Sequence, residues 1–337
     1  MTSPAEQLGE ARGVERLSRL ECEAKLSAPP EFELPHDSTL LPGVVAGALE
    51  QQPLQTVYYD TPDLRLAARG IILRYRNNEE WTLKLPRERR NRRLLRSELR
   101  FAGANDALPA AAADLVQAVV GRESLEPVAR LRTTRNRVPL HDLKGRSLGD
   151  MVDDQVSVVE DDRAIDAFHE LAIELSADAP NPLLRRLNKA LTTRGATARS
   201  PIPKLLRALG SRAEHLVLAH SGASAGQTAP DELASRIVQA CFDALVVTDV
   251  EIRSASDPEH VHQARIAVRR LRAALRVFAS LLDEEWTALI GAELDWLGTA
   301  LGAARDADVL LARVHSRVQS LADEDRDVAE EIGRAHV

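Results

Sequence analysis

The chain has 337 residues, 44% hydrophobic and 28% charged, with a formal net charge of −7, enough for two domains that each bury a core. Its two cysteines, Cys22 and Cys241, are too few and too far apart for a disulfide framework, and the sequence lacks zinc spacings, a Walker loop and a G-x-G-x-x-G turn. No apolar run is long enough to span a bilayer, and the polar, mixed-charge first twenty residues are no signal peptide. A reducing, cytoplasmic setting is expected.

The first half reads as strands. Residues alternate faces with period two in a strand. In Glu21-Cys-Glu-Ala-Lys25, Glu21, Glu23 and Lys25 share one face and Cys22, Ala24 and Leu26 the other. Two adjacent carboxylates repel unless a cation or proton lies between them. A metal beside a phosphate would explain the arrangement, and so would a solvated charged face. The pattern repeats along the chain. Leu73-Arg74-Tyr75-Arg76 puts two arginines on one face. Thr82 and Lys84 oppose Trp81, Leu83 and Leu85. Arg96, Glu98 and Arg100 oppose Leu99 and Phe101. Ala129-Arg130-Leu131-Arg132 alternates again with Arg135 nearby, and Glu170 to Leu175 sets two glutamates against aliphatics. Turn signals separate these runs at Asp60-Thr-Pro-Asp63, Arg69-Gly70, Asn77-Asn78 and Lys144-Gly145. An antiparallel, largely β domain is predicted. Closed, such a sheet forms a tunnel with polar groups inside; open, it presents the charges to solvent. Pattern alone fits both. Arg87 to Arg93 is a charge run expected at a hairpin tip.

Glu21-Cys-Glu-Ala-Lys25 resembles the ExExK signature of the CYTH family, the triphosphate tunnel metalloenzymes. Other family-like segments follow in order. Tyr58-Tyr59-Asp60-Thr61 is similar to Y-x-D-T and Leu73 to Arg76 to LRxR. Lys84, Glu98, Arg132, Arg135 and Asp153 resemble later tunnel residues, Glu170 to Glu174 the closing acidic strand, and Lys204 a residue of the final helix. The match covers about residues 17 to 210. One position departs: Ala172 stands where the family's closing strand has its middle glutamate. The resemblance implies an α+β fold with an antiparallel β tunnel and divalent-metal-dependent hydrolysis of inorganic triphosphate. Glu21, Glu23, Glu170 and Glu174 would hold Mg²⁺ or Mn²⁺, with Glu21, Glu23 and Lys25 catalytic. Lys25, Arg74, Arg76, Lys84, Arg132, Arg135 and Lys204 would grip the phosphates, and Glu98 and Asp153 would complete the lining. Thiamine triphosphate hydrolysis, ATP cyclisation and a non-catalytic polyphosphate-binding protein are the alternatives.

The expected tunnel domain spans 17–212, followed by a linker at 213–230 whose segment His220 to Pro230 is small and flexible in composition. A helical domain is expected over 231–337, with Asp231 as its N-cap. Charge divides there as well. Residues 1–212 carry 32 Lys+Arg against 30 Asp+Glu, and residues 213–337 carry 12 against 21. An acidic helical domain disfavours general nucleic-acid binding. Five of its basic residues nevertheless fall between Arg265 and Arg276. His262, Arg265, Arg269, Arg272 and Arg276 form one helical stripe, opposite Ala264, Val268, Leu271 and Leu275. Arginine forks suit phosphate; the other outcomes are a plain basic surface or pairing with acids of a neighbouring helix. Trp286 and Trp296 are expected in the core.

Val261 to Arg272 is similar to the signature of the CHAD family, the conserved-histidine α-helical domain, and Leu301 to Asp308 resembles a second family segment. This implies a helical bundle that binds inorganic polyphosphate through His262, Arg265, Arg269, Arg270, Arg272, Arg276 and Arg305. The family domain has two similar helical halves, and this chain supplies about one. A fragment is therefore expected, with apolar surface left open to self-association.

Overall fold

The computed structural model describes residues 14–321, apart from 21, 30, 78–79, 87, 91–92, 105–106, 177–178, 181, 199–201, 215, 217–228 and 255–256. Side chains are described from Ala24 onward, except at these positions and at 38–39, 88–97 and 198. The fold is α+β. The chain divides into two compact units, Met1–Ser224 and Ala225–Val337.

Among the described residues, unit one holds thirteen strands in one antiparallel sheet. In chain order they are β1 Val14–Leu20, β2 Cys22–Ser27, β3 Ser38–Leu41, β4 Val44–Ala46 and β5 Glu50–Asp60. Then come β6 Ile72–Arg76, β7 Glu80–Lys84, β8 Glu88–Arg90, β9 Arg93–Ala102 and β10 Glu126–Asp142, and finally β11 Ser147–Glu160, β12 Arg163–Leu175 and β13 Thr197–Ala198. The main path runs β1-β9-β7-β6-β5-β10-β11-β12-β2-β13. β1 and β2, which lie toward opposite ends of this path, are consecutive in sequence and separated by one residue.

Alternation gives each strand two unlike faces. One face is apolar. Val138, Leu140, Met151, Leu171 and Ile173 pack there with Leu183, Leu187 and Leu191 of α3 (Leu183–Thr193). Farther along, the same face buries Leu73, Tyr75, Trp81, Leu83, Leu99 and Phe101. Tyr59 and Tyr75 flank Trp81, at ring-centroid distances of 4.8 and 5.4 Å. Two further helices belong to this unit, α1 (Arg65–Ala68) and α2 (Ala110–Val120). Asp60 anchors the short α1: its buried carboxylate accepts backbone N–H bonds from Thr61, Leu66 and Ala67 at 2.7–2.9 Å. Burial pushes its carboxyl up and these donors oppose the shift. The Y-x-D-T segment is thus a local scaffold.

The second face carries the charged residues. At one end it becomes apolar, where Tyr58, Leu131, Val156 and Phe168 pack against Leu205, Leu206 and Leu209 of α4 (Lys204–Leu209). α4 covers that end of the charged face, and its first residue, Lys204, stands at the boundary.

Unit two has three described helices, α5 (Pro230–Ser254), α6 (Pro258–Val277) and α7 (Glu284–Gln319). Asp257 and Asp283 cap α6 and α7 by accepting from Glu259 N at 2.9 Å and Trp286 N at 2.7 Å. Asp231, expected as a cap, lies inside the first turn of α5, where its charge suits the helix N-terminus. Val268, Leu271, Leu275 and Leu294 form the core with Val238, Cys241, Leu245, Ile290, Leu297 and Leu301. The tryptophan expectation is corrected: Trp286 and Trp296 are 43% and 69% exposed. α7 buries the stripe through residues 290, 294, 297 and 301, and both rings lie off it. No described helix is long and apolar enough to cross a membrane.

Gly149 marks a close approach. Its φ is +129°, and an added Cβ would stand 2.2 Å from the Glu174 carbonyl oxygen. Gly149→Ala should cost about 3 kcal/mol and lower the urea midpoint accordingly.

Candidate functional site

Register assembles the charged face from distant segments. Arg135 pairs opposite Asp154, and Asp154 opposite Glu170. Ala172 and Glu174 lie opposite Lys25 and Glu23. On the other side of β5, Tyr58 and Thr56 lie opposite Arg74 and Arg76. Arg74 continues to Thr82 and Arg100, while Lys84 lies opposite Glu98.

Two ionic groups result. In the first, Arg135 grips Asp154 with a two-pronged bond, Nε to Oδ1 at 2.8 Å and a terminal nitrogen to Oδ2 at 2.7 Å. Lys204 also binds Asp154 and lies 3.5 Å from Glu170. Lys25 reaches the same Glu170 oxygen at 3.1 Å. Burial alone would raise the Asp154 carboxyl. The Arg135 hydrogen bonds and the Lys204 charge outweigh it and hold the group well below the usual carboxylate range. Burial lowers Arg135, but its bonds to Asp154 and the charges of Glu174 and Glu170 raise it overall.

In the second group, Lys84 meets Glu98 at 2.5 Å, and Arg100 Nε lies 3.3 Å from Glu80 and 3.4 Å from Glu98. Burial would raise Glu98; Lys84, Arg74 and Arg100 override it and bring the carboxyl to about 2. Between the two groups stand Arg74 and Arg76. Their buried Nε atoms have no hydrogen-bond partner among the described residues. Burial, with Arg74 and Arg135 nearby, lowers Arg76 to about 10. Farther along the face Arg137 binds Glu50 and Asp150, each at 2.7 Å.

Lys25, Arg74, Arg76, Lys84, Glu98, Arg135, Glu170 and Lys204 therefore lie on one face, with Glu174 among them. Two expected residues do not. Arg132 is on the opposite face and pairs with Asp162 at 2.5 Å. Its spacing of three from Arg135 forbids a shared strand face. Asp153 is also on the opposite face, buried between Asn136 at 3.4 Å and His169 at 3.6 Å. Its neighbour Asp154 lies on the charged face instead. Each face of β11 receives one aspartate, so alternation could not choose between them. Arg100, Arg137 and Thr82 also join the charged face, where alternation with Glu98, Arg135 and Lys84 places them.

Glu21 lies outside the described residues, and Glu23 is described only in backbone register. No cluster of three His, Cys, Asp or Glu arranged for a metal occurs among the described residues. Glu170 is engaged by two lysines. Glu174 is exposed, makes no ion pair with a described residue and sits opposite Glu23. Directly opposed like charges in a sheet are destabilising, and a divalent cation fits that need.

In unit two, the stripe on α6 is divided. Arg272 pairs with Asp295 of α7, and Arg265 lies 4.0 Å from Asp306. Arg305 reaches the Pro258 carbonyl at 3.4 Å. His262, Arg269, Arg270 and Arg276 are exposed.

The CYTH domain family matches residues 19–207 and the CHAD domain family residues 236–336. The chain belongs to the CYTH family and carries a CHAD domain after it. Two uncharacterised proteins from strains of Mycobacterium tuberculosis are each 31% identical over 82% of this chain. The match covers 56% of their length, so this chain spans about half of the curated relatives it matches. Among solved structures, a candidate adenylate cyclase from Bacillus halodurans is 16% identical, with 58% of this chain and 98% of that one covered and a TM-score of 0.35. A candidate adenylyl cyclase from Hippeastrum, described as having a dominant triphosphatase activity, is 12% identical, with 62% and 97% covered and a TM-score of 0.30. Likenesses of that size carry no argument about activity.

Glu98 and Asp154 both titrate lower folded than unfolded. Their contribution to stability is complete above the ordinary carboxylate value, near 4.5 for Glu98, and is withdrawn as pH falls toward 2. Urea midpoints should drop between pH 5 and pH 2.5, and Glu98→Gln should flatten that slope.

Proposed function

We propose that the CYTH domain hydrolyses inorganic triphosphate with a divalent metal, Mg²⁺ or Mn²⁺. The observation that carries this reading is the pair Arg74 and Arg76. Every other described Lys or Arg named on the site face has a carboxylate partner. These two have no ion-pair partner among the described residues, and their buried Nε–H donors have no acceptor there. A polyanion with several oxygens satisfies both. A closed bore, the finer reading of the sheet, is supported by β1 and β2 being consecutive pieces of one segment.

In this mechanism Arg74 and Arg76 bind the phosphates first. Lys25, Lys84, Arg135 and Lys204 turn from their carboxylates toward the substrate and neutralise charge that builds during phosphoryl transfer. Glu174, Glu23 and Glu21 are the residues that would hold the metal, with Glu170 released to join them. The metal would supply charge neutralisation and a more acidic water. A carboxylate of the set accepts the proton of the attacking water. The apolar end under α4 excludes water beyond the phosphates. Inorganic triphosphate is preferred over its esters because the rings on the described part of the site face, Tyr58 and Phe168, are both buried and offer no platform for a base.

A second reading, binding without turnover, is favoured by Ala172. It replaces a carboxylate with a methyl group opposite Lys25. For the CHAD domain we propose inorganic polyphosphate as ligand, gripped chiefly by Arg269, Arg270 and Arg276 with His262; Arg265, Arg272 and Arg305 would contribute after release from their partners.

Phosphate release from triphosphate, thiamine triphosphate and ATP, each with Mg²⁺ and Mn²⁺, tests the first proposal. Triphosphate should turn over fastest, and Arg76→Ala should lower kcat/KM by about 10²-fold or more. Cyclic AMP formation, or polyphosphate binding with no metal-dependent hydrolysis, would replace it. Replacing Arg269, Arg270 and Arg276 together with Ala should abolish salt-sensitive polyphosphate binding in a filter assay and leave triphosphate turnover intact.

A further inference from the structure

Three buried polar atoms on adjacent strands lack hydrogen-bond partners among the described residues. They are Arg74 Nε on β6, Thr82 Oγ1 on β7 and Arg100 Nε on β9. They form a single cross-strand row, Arg74 opposite Thr82 and Thr82 opposite Arg100. Side chains directly opposed in an antiparallel pair have Cβ atoms about 5 Å apart, within reach of an arginine Nε. Thr82 is fully buried.

A buried hydroxyl without a partner is destabilising. Valine has the same branching and shape, suits a strand equally well and leaves nothing unpaired. Threonine at this position therefore needs a reason beyond packing. The row supplies one, because its groups are chemically complementary. Each Nε–H is a donor and the hydroxyl oxygen is an acceptor. Arg100 already has carboxylates within 3.3 and 3.4 Å. Arg74 acts on Glu98 through its charge but makes no ion pair with a described residue, and its Nε is unpartnered among them.

We infer that Thr82 is a positioning residue for the terminal phosphoryl group of the substrate, its hydroxyl accepting from Arg74 Nε when that guanidinium turns toward the anion. This rests on the triphosphate reading of the same face. The bond fixes the plane of the guanidinium, so that its outer N–H groups present a two-pronged fork. Binding of the anion relieves two unsatisfied groups at once, and part of the binding energy comes from the protein's own unpaired atoms.

The test compares wild type, Thr82→Val and Thr82→Ser. Inorganic triphosphate is titrated by calorimetry in EDTA, Tm is measured without ligand, and KM and kcat are measured with Mg²⁺. Thr82→Val should weaken triphosphate affinity about tenfold, the worth of one hydrogen bond to a charged group. KM should rise in step, and Tm should equal or exceed that of wild type. Thr82→Ser should bind within about twofold of wild type, since it keeps the hydroxyl. The opposite signs of stability and affinity are what a packing role cannot produce. Unchanged affinity in Thr82→Val, equal loss in Thr82→Ser, or a fall in both Tm and affinity overturns the inference alone. Wild-type protein that binds no triphosphate overturns the functional reading and this inference together.

Discussion

A carboxylate taken out of water needs cations beside it, and Asp154 is where this fold meets that demand. Arg135 supplies two parallel hydrogen bonds from β10, and Lys204 supplies a charge from α4. Lys204 continues to Glu170 on β12, and Glu170 to Lys25 on β2. One buried anion thereby ties four strands and a helix into one ionic group. Breaking a buried pair by removing one partner is costly, because the remaining charge stays desolvated. The group therefore determines where α4 docks and how β2 meets β12.

The charged face changes environment along its length. Toward α4 it is sealed by Phe168, Leu131 and Val156 against three leucines. In the middle its described ions are paired, except for Arg74, Arg76 and Glu174. At the far end Arg137 pairs with Glu50 and Asp150, and the group is partly exposed. An apolar seal beside partly unsatisfied cations strengthens their pull on an anion, because the local dielectric is low there. The same burial, with Arg74 and Arg135 nearby, lowers Arg76.

Much of the charged face was legible in the sequence, for a simple reason. Alternation within a strand is local, so Arg74 with Arg76, and Glu170 with Glu174, could be put on common faces from spacing alone. The failures came where local parity was ambiguous or ignored. Arg132 and Arg135 are an odd number of residues apart and cannot share a strand face. Asp153 and Asp154 are adjacent, and only pairing with Arg135 and Glu170 selects the second. Trp286 and Trp296 carry helical spacing, but the face that α7 buries is set by where α5 and α6 lie.

The sequence by itself determined the antiparallel strands, the charged stripes, the helical second domain and the family, because periods of two and 3.6 residues are written into short segments. The tertiary structure alone decided which ions meet. Lys25 finds Glu170 across 145 residues, and Lys84 is brought to Glu98 by register. A slip of one residue in any strand would turn its charges to the other face. Register is chosen by the packing of the whole sheet and its helices, so contacts of that kind cannot be read from any single strand.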